Sequence, residues 1–142
     1  WQEEVVQLGL VDPVTTEVVR LRCADHHDCY TWKSLRLAVA REHGLDEDLA
    51  QRAMRNDEDL DKHYALATRF ATNLMTQPSA VTGEDLTELR EFFTDDQLIE
   101  LSLDVMKWNY QKVSVALGTD REVREGELSE LHFDASGKWS FS

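Results

Sequence analysis

The sequence predicts an all-α fold, and three observations indicate it. Proline and glycine, which most often interrupt regular structure, number only 2 and 6 among 142 residues. Through most of the chain the apolar residues recur every three or four positions, the spacing of a buried helix face rather than of a strand. Several of these stretches follow a short polar residue that can cap a helix. We therefore expect a helical bundle that forms a single domain over residues 1–142.

The first two helices are predicted in the N-terminal third. Asp12 can cap a helix from about Pro13 to Ala24, because proline suits the first helical position. The sequence His26-His27-Asp28 ends this helix. A second helix is predicted from about Cys29 to His43, and Gly44 can adopt the left-handed conformation that often follows a helix.

Three more helices are predicted in the middle of the chain. A short helix is expected near Asp46 to Met54. A longer helix from about Asp59 to Thr76 carries one apolar stripe, and Pro78 stops it. Thr82 can then cap a helix that runs through Phe92.

The C-terminal part combines one long helix with a less regular tail. Thr94 and Gln97 have the spacing of a capping box, which predicts a long helix that ends at Gly118. Further on, the stretch from His132 to Phe141 has Ser136-Gly137 at its centre. This pattern predicts a small hairpin or a strap along the surface.

The composition excludes several classes of partner. Acidic side chains outnumber basic ones by 28 to 15, and the formal charge of −13 repels the phosphates of nucleic acids and anionic lipids. No apolar run approaches the roughly 18 to 20 residues that span a bilayer, and nothing near Trp1 resembles a secretion signal. Two cysteines are too few for a secreted disulfide scaffold. We expect a soluble, cytoplasmic protein that binds neither nucleic acid nor membranes.

One spacing in the sequence points to thiol chemistry. Glu17 precedes Cys29 by twelve residues, and Cys29 begins the second predicted helix. Free backbone N–H groups and the positive end of the helix dipole stabilise a thiolate at such a position, which lowers the pKa of the cysteine. The thiolate is the species that attacks a peroxide or a disulfide.

From about Thr15 to Asp120 the chain resembles the carboxymuconolactone decarboxylase and alkylhydroperoxidase D superfamily, which leaves a tail of residues 121–142 outside the resemblance. Three stretches carry it: EVVRLRCADHHDCYTW, HYALATRFATNLMTQPSAVTGEDLTELREFFTDDQLIELSLDV and NYQKVSVALGTD. The resemblance implies an all-α subunit that assembles as a homotrimer or homohexamer. It also implies reduction of peroxides or a role as a thiol carrier, with a thiol reductant as partner.

The redox pattern of this superfamily is incomplete in the chain. Glu17 and Cys29 match its glutamate and first cysteine, but Trp32 stands at the second cysteine and Arg36 at the histidine four residues beyond it. A further histidine between the cysteines of the peroxidases falls on Thr31. A tryptophan cannot condense with a sulfenic acid, and an arginine stays protonated and cannot act as a base.

The candidate catalytic residues are Cys29, Glu17 and Cys23. Cys23 and Glu17 each have an alternative role. Cys23 could form a disulfide with Cys29 if the loop between them folds back, or it could be a small buried hydrophobe. Glu17 could be a relay acid facing Cys29, or it could form a structural ion pair with Arg20 or Arg36. Arg36 could alternatively hold a thiolate electrostatically.

Two further groups of residues are candidates for ligand binding. Cys23, His26, His27 and Cys29 have the chemistry of zinc ligands, but adjacent histidines point apart, so a polar interhelical loop is the preferred interpretation and no metal is expected. Trp108 and its neighbours Tyr110 and Lys112 could line an apolar pocket for a small organic molecule, or pack in the core or against another subunit.

Two functions follow as expectations. The first is an alkylhydroperoxidase-like oxidoreductase in which Cys29 attacks a peroxide or a disulfide, Glu17 assists proton movement, and Cys23 or an external thiol regenerates it. The second is a non-redox relative that binds a small organic molecule or transforms it by lactone or decarboxylation chemistry. Either function uses a small-molecule substrate and needs no cofactor.

Overall fold

The computed structural model describes residues 1–120 and 126–142, and this part of the chain is mainly helical. Its helices are α1 (Gln2–Val6), α2 (Pro13–His26), α3 (Tyr30–Lys33), α4 (Ala38–Glu42), α5 (Glu47–Arg55), α6 (Lys62–Thr76), α7 (Gly83–Leu89), α8 (Asp95–Trp108) and α9 (Gln111–Ala116). A short 3-10 turn occupies Pro78–Ala80. The strands are β1 (Leu35–Leu37), β2 (Ser129–Phe133) and β3 (Trp139–Phe141). The chain is therefore mostly helical, as predicted, but it is not purely all-α, because β1 joins the C-terminal strands in a small sheet.

The three strands form one sheet in the order β1-β2-β3. β1 runs parallel to β2, with Leu37 opposite Leu131, and β2 pairs with β3 as an antiparallel hairpin, with Phe133 opposite Trp139. Of the two forms predicted for the stretch around Ser136-Gly137, a hairpin or a surface strap, the structure shows the hairpin. Residues 121–125 of the tail lie outside the described residues.

The predicted helix from Cys29 to His43 is wrong, because β1 divides it into α3 and α4. The Arg20 side chain donates hydrogen bonds to the carbonyls of Trp32 and Leu35 at 2.7 and 2.5 Å. In a continuous helix these carbonyls would accept from the N–H four residues later. The predicted stop at Gly44 is confirmed, and its φ of +100° lies in the left-handed region.

The predicted helix from Thr94 to Gly118 is also divided, because α8 ends at Trp108 and α9 begins at Gln111. The capping predictions are confirmed. Thr94 and Gln97 form a capping box at the start of α8, and the Asp12 side chain accepts from the Thr15 N–H at 2.9 Å at the start of α2.

Helix α2 passes through the centre of the core. Val18, Val19 and Leu21 on this helix are completely buried, and α2 packs against α5, α6 and α8. One apolar cluster fills the space between α2, α6 and α8, and a second joins α2 to the sheet through Leu37 and Leu131. No helix in the described ranges combines the length and the apolar character needed to cross a bilayer.

The hairpin and the N-terminal helix are in close contact at one glycine. Gly137 has a φ of +81°, and a Cβ atom at this position would collide with the backbone of Glu3. The tip of the hairpin therefore lies directly on α1, which itself packs against α8.

We predict that Gly137→Ala lowers the free energy of unfolding by about 1 to 3 kcal/mol, because it adds backbone strain and a steric collision with Glu3. Denaturant unfolding measures this value. The control is Gly83→Ala in the first turn of α7, where an added Cβ meets nothing within 4 Å and stability should be unchanged or slightly higher. Equal stability of the two variants would show that the hairpin tip does not lie on α1.

Candidate functional site

The predicted relay acid, Glu17, forms a buried ion pair with Arg20 one turn further along α2. Both carboxylate oxygens are engaged: Nε of Arg20 lies 2.5 Å from Oε2, and Nη2 lies 2.7 Å from Oε1. Oε1 also accepts a hydrogen bond from the Leu37 N–H at 3.1 Å. Both side chains are completely buried. Of the alternative roles of Glu17, the structure shows the ion pair with Arg20.

Arg36, which stands where a histidine would complete the redox pattern, has a different partner. Its Nη2 and Nε lie 2.6 and 3.1 Å from the carboxylate of Glu47 at the start of α5. Its Nη1 donates to the carbonyls of Lys33 and Leu35. Arg36 therefore fixes the turn between α3 and β1.

Cys29 lies at the N-cap of α3, as the sequence predicts, but a carboxylate occupies the same helix end. Asp120 accepts hydrogen bonds from the N–H groups of Tyr30 and Thr31 at 2.6 and 3.3 Å. The Cys29 thiol also donates to Asp120, with Sγ 3.4 Å from Oδ1. The negative charge that the helix end favours is thus supplied by Asp120.

This environment raises the pKa of the Cys29 thiol to about 11. Burial is the largest cause, and the Asp120 carboxylate raises it further through its hydrogen bond and its charge, against the opposite effect of the Trp32 and Thr31 N–H groups. Burial alone would raise the pKa of Asp120, but the hydrogen bonds from Thr31, Tyr30 and Cys29 lower it. Cys29 is therefore a neutral thiol near pH 7.

The second candidate thiol, Cys23, is part of the apolar core. It is completely buried among the residues between α2, α6 and α8, and burial raises its pKa to about 12. Both cysteines are free thiols in the structure. These features match the interpretation of Cys23 as a small buried hydrophobe.

The other residues of the predicted redox and metal patterns have local structural contacts. The ring of Trp32 packs on that of Trp108, with 5.8 Å between centroids. Nε2 of His27 lies 2.7 Å from Oδ1 of Asn109, and the His26 ring lies edge-on to that of His27. Within residues 1–120 and 126–142, no group of three or more histidine, cysteine or acidic side chains is arranged to hold a metal ion.

A second site lies between α1, α2, β1, α8 and the hairpin, and we call it the α1–α8 cavity. Its volume is about 230 Å³. The walls are mainly apolar and include Val5, Val11, Leu37, Trp108 and Phe133. The polar side chains on the cavity are those of Thr16, Glu100, Asp104 and Lys107.

Three charged side chains of α8 lie buried at this cavity. Oε2 of Glu100 accepts hydrogen bonds from the Leu10 and Val11 N–H groups at 2.7 and 3.3 Å. Nζ of Lys107 lies 2.6 Å from Oδ1 of Asp104. Burial raises the pKa of both carboxyl groups, and the N–H groups that bind Glu100 and the lysine that binds Asp104 offset this only in part.

Trp108, a candidate pocket residue predicted from the sequence, lines the cavity. The three charged residues beside it were not predicted. A signal for them exists. Glu100, Asp104 and Lys107 stand four and three positions apart, so they share one helix face with Trp108, and most residues between them are apolar. Charges that interrupt the buried face of a helix have a structural partner or bind a ligand.

We predict that Asp120→Asn lowers the pKa of the Cys29 thiol by roughly 1, because asparagine still caps α3 but removes the charge that opposes a thiolate. The measurement is the pH dependence of iodoacetamide alkylation, followed by mass spectrometry in a Cys23→Ala background. The matched control is Asp96→Asn in the exposed first turn of α8, which should leave the profile unchanged. An identical profile for Asp120→Asn would mean that Asp120 does not control this thiol.

Comparison with known proteins finds two similar sequences, both from uncharacterized proteins. No family model matches the chain. Two uncharacterized proteins from two strains of Mycobacterium tuberculosis are each 38% identical to it over 118 residues. The match covers 82% of this chain and 42% of each relative, so the chain spans about two-fifths of the length of these proteins.

Proposed function

We propose that the protein is a non-redox relative of the carboxymuconolactone decarboxylase and alkylhydroperoxidase D superfamily, and that it binds a small organic molecule in the α1–α8 cavity. The observation that carries this proposal is the cavity itself, which combines apolar walls with three buried charged side chains. An apolar cavity with a few convergent polar groups and perturbed pKa values is the usual form of a small-molecule site.

The volume of the cavity limits the size of the ligand. An apolar cavity of about 150 Å³ can hold benzene, whereas sites for drug-sized ligands have about 300 to 1,000 Å³. The α1–α8 cavity, at about 230 Å³, lies between these cases. A molecule with one ring or a short branched chain is therefore the proposed class of ligand.

The thiol-peroxidase alternative has less support from the geometry. A thiol with a pKa of about 11 is a thiolate in roughly 1 of 10,000 molecules at pH 7. Both oxygens of Glu17 are bound to Arg20, so the proposed relay acid has no oxygen without a partner. The side chain at the position of the second cysteine is Trp32, whose ring packs on Trp108.

We also propose that the protein can transform its ligand chemically. Glu100 and Asp104 have raised pKa values because they are buried, and a carboxyl group of this kind can exchange protons with a bound molecule closer to neutral pH than an exposed one. This property supports an acid or base role in lactone or decarboxylation chemistry, without a cofactor and without a disulfide.

We also propose that the protein assembles as a homotrimer or homohexamer in the cytoplasm. The outer face of α8 and the region after it expose the large apolar side chains of Ile99, Met106, Tyr110 and Leu117. Ile99 and Met106 share one face of α8, and Tyr110 and Leu117 lie at the two ends of α9. Groups of exposed apolar side chains are typical of surfaces that pack against another subunit. The two free thiols fit a reducing compartment.

Ligand-observed NMR can identify small ring compounds that bind the wild-type protein. We predict that Thr16→Phe binds these compounds roughly 10-fold or more weakly, because the larger side chain fills the α1–α8 cavity. Thr87→Phe on the exposed surface of α7 is the matched control and should bind these compounds like the wild type. Compounds that bind both variants equally well would contradict the site. A Cys29-dependent turnover of peroxide by the wild type would favour the redox function instead.

A further inference from the structure

The α1–α8 cavity presents two carboxylate oxygens that lack a partner in the described structure. Glu100 and Asp104 are 4% and 2% exposed, and each uses one oxygen, Oε2 and Oδ1 respectively, for the hydrogen bonds described above. The other oxygens, Oε1 and Oδ2, accept no hydrogen bond from any residue in 1–120 or 126–142. Unlike Nε1 of Trp108, they are not among the polar atoms enclosed without a partner. Both oxygens therefore keep some exposed surface, and both residues line the α1–α8 cavity.

The buried cation beside these oxygens is already bound on two sides. Nζ of Lys107 lies 2.6 Å from Oδ1 of Asp104 and 4.3 Å from the centroid of the Trp108 ring. An anionic ligand would have to compete with Asp104 for this lysine. Free carboxylate oxygens, by contrast, need a ligand that donates hydrogen bonds.

The charge of the cavity indicates what kind of donor it binds. With both carboxyl groups ionised, Glu100, Asp104 and Lys107 sum to −1, and the whole chain carries a formal charge of −13. This field attracts cations and repels anions, and it acts most strongly in a cavity with apolar walls. Burial opposes ionisation of both carboxyl groups, and a bound cation would offset that cost.

Resting on the proposed binding of a small organic molecule in the α1–α8 cavity, and not on its lactone or decarboxylation chemistry, we infer that the ligand is a small apolar amine, bound as its ammonium ion between Glu100 and Asp104. Residues four positions apart on a helix have Cβ atoms about 5 to 6 Å apart, a distance that one ammonium group can bridge. The N–H groups of the amine donate hydrogen bonds to Oε1 of Glu100 and Oδ2 of Asp104. Its apolar part lies against Val11, Leu37 and Phe133. This class differs from the peroxides and organic acids that the superfamily resemblance implies.

The test compares three probes that share one ring and differ in the polar group. Isothermal titration calorimetry at pH 7 measures the binding of benzylamine, benzyl alcohol and benzoate to the intact chain. We expect benzylamine to bind at least about 10-fold more tightly than benzyl alcohol, because hydrogen bonds between charged groups are the stronger ones. Benzoate should bind most weakly.

A charge-removing variant identifies the carboxylate responsible. Glu100→Gln keeps an acceptor for the Leu10 and Val11 N–H groups and should weaken benzylamine binding about 10-fold, while benzyl alcohol changes less than about 3-fold. The matched control, Glu84→Gln in the exposed first turn of α7, should leave both affinities unchanged. Circular dichroism and thermal unfolding establish that each variant is folded.

The outcomes separate this inference from the proposed function. If benzyl alcohol or benzoate binds as tightly as benzylamine, the cavity is a small-molecule site but the inference of an amine ligand is wrong. If Glu100→Gln weakens all three probes equally, the carboxylate only shapes the cavity and the inference is again wrong. If none of the probes binds, the inference fails, and the Thr16→Phe screen decides whether the proposed function fails with it.

Discussion

The buried ion pair between Glu17 and Arg20 is the interaction on which the rest of the fold depends. Burying two charges costs several kcal/mol unless their hydrogen bonds are satisfied, and here the surrounding backbone satisfies them. Arg20 donates to the carbonyls of Trp32 and Leu35, and Glu17 accepts from the Leu37 N–H. These bonds hold residues 32–37 in a non-helical path, from which β1 pairs with the C-terminal hairpin.

The ion pair between Glu17 and Arg20 also bears on the redox site that the superfamily resemblance implies at Cys29. The Glu17 carboxylate binds Arg20 with both oxygens, so neither oxygen is without a partner. At the neighbouring helix end, Asp120 accepts hydrogen bonds from the Tyr30 and Thr31 N–H groups, and its charge opposes a thiolate at Cys29. On α8, by contrast, Glu100 and Asp104 line the α1–α8 cavity, and each has one carboxylate oxygen that accepts no hydrogen bond from residues 1–120 or 126–142.

Local signals in the sequence predicted the parts of the fold that local interactions determine. Asp12 and the Thr94–Gln97 pair cap helices through contacts within one turn, so these starts were readable from spacing alone. β1 was not readable, because its partner β2 lies about 90 residues away and a three-residue apolar stretch also fits a helix. The partner of Glu17 was likewise undecided, since Arg20 and Arg36 are both within reach in sequence and only the tertiary structure gives Arg36 to Glu47.

A double-mutant cycle of Glu17→Gln and Arg20→Met, measured by denaturant unfolding, tests most directly whether Glu17 holds the fold together rather than moving protons. Each single variant should lose about 3 to 5 kcal/mol, because it leaves one buried charge or its partners unpaired. The double variant should lose clearly less than the sum of the two. Additive losses would contradict this account. So would a Glu17→Gln variant that is as stable as the wild type but has lost a thiol-dependent peroxide turnover that the wild type shows.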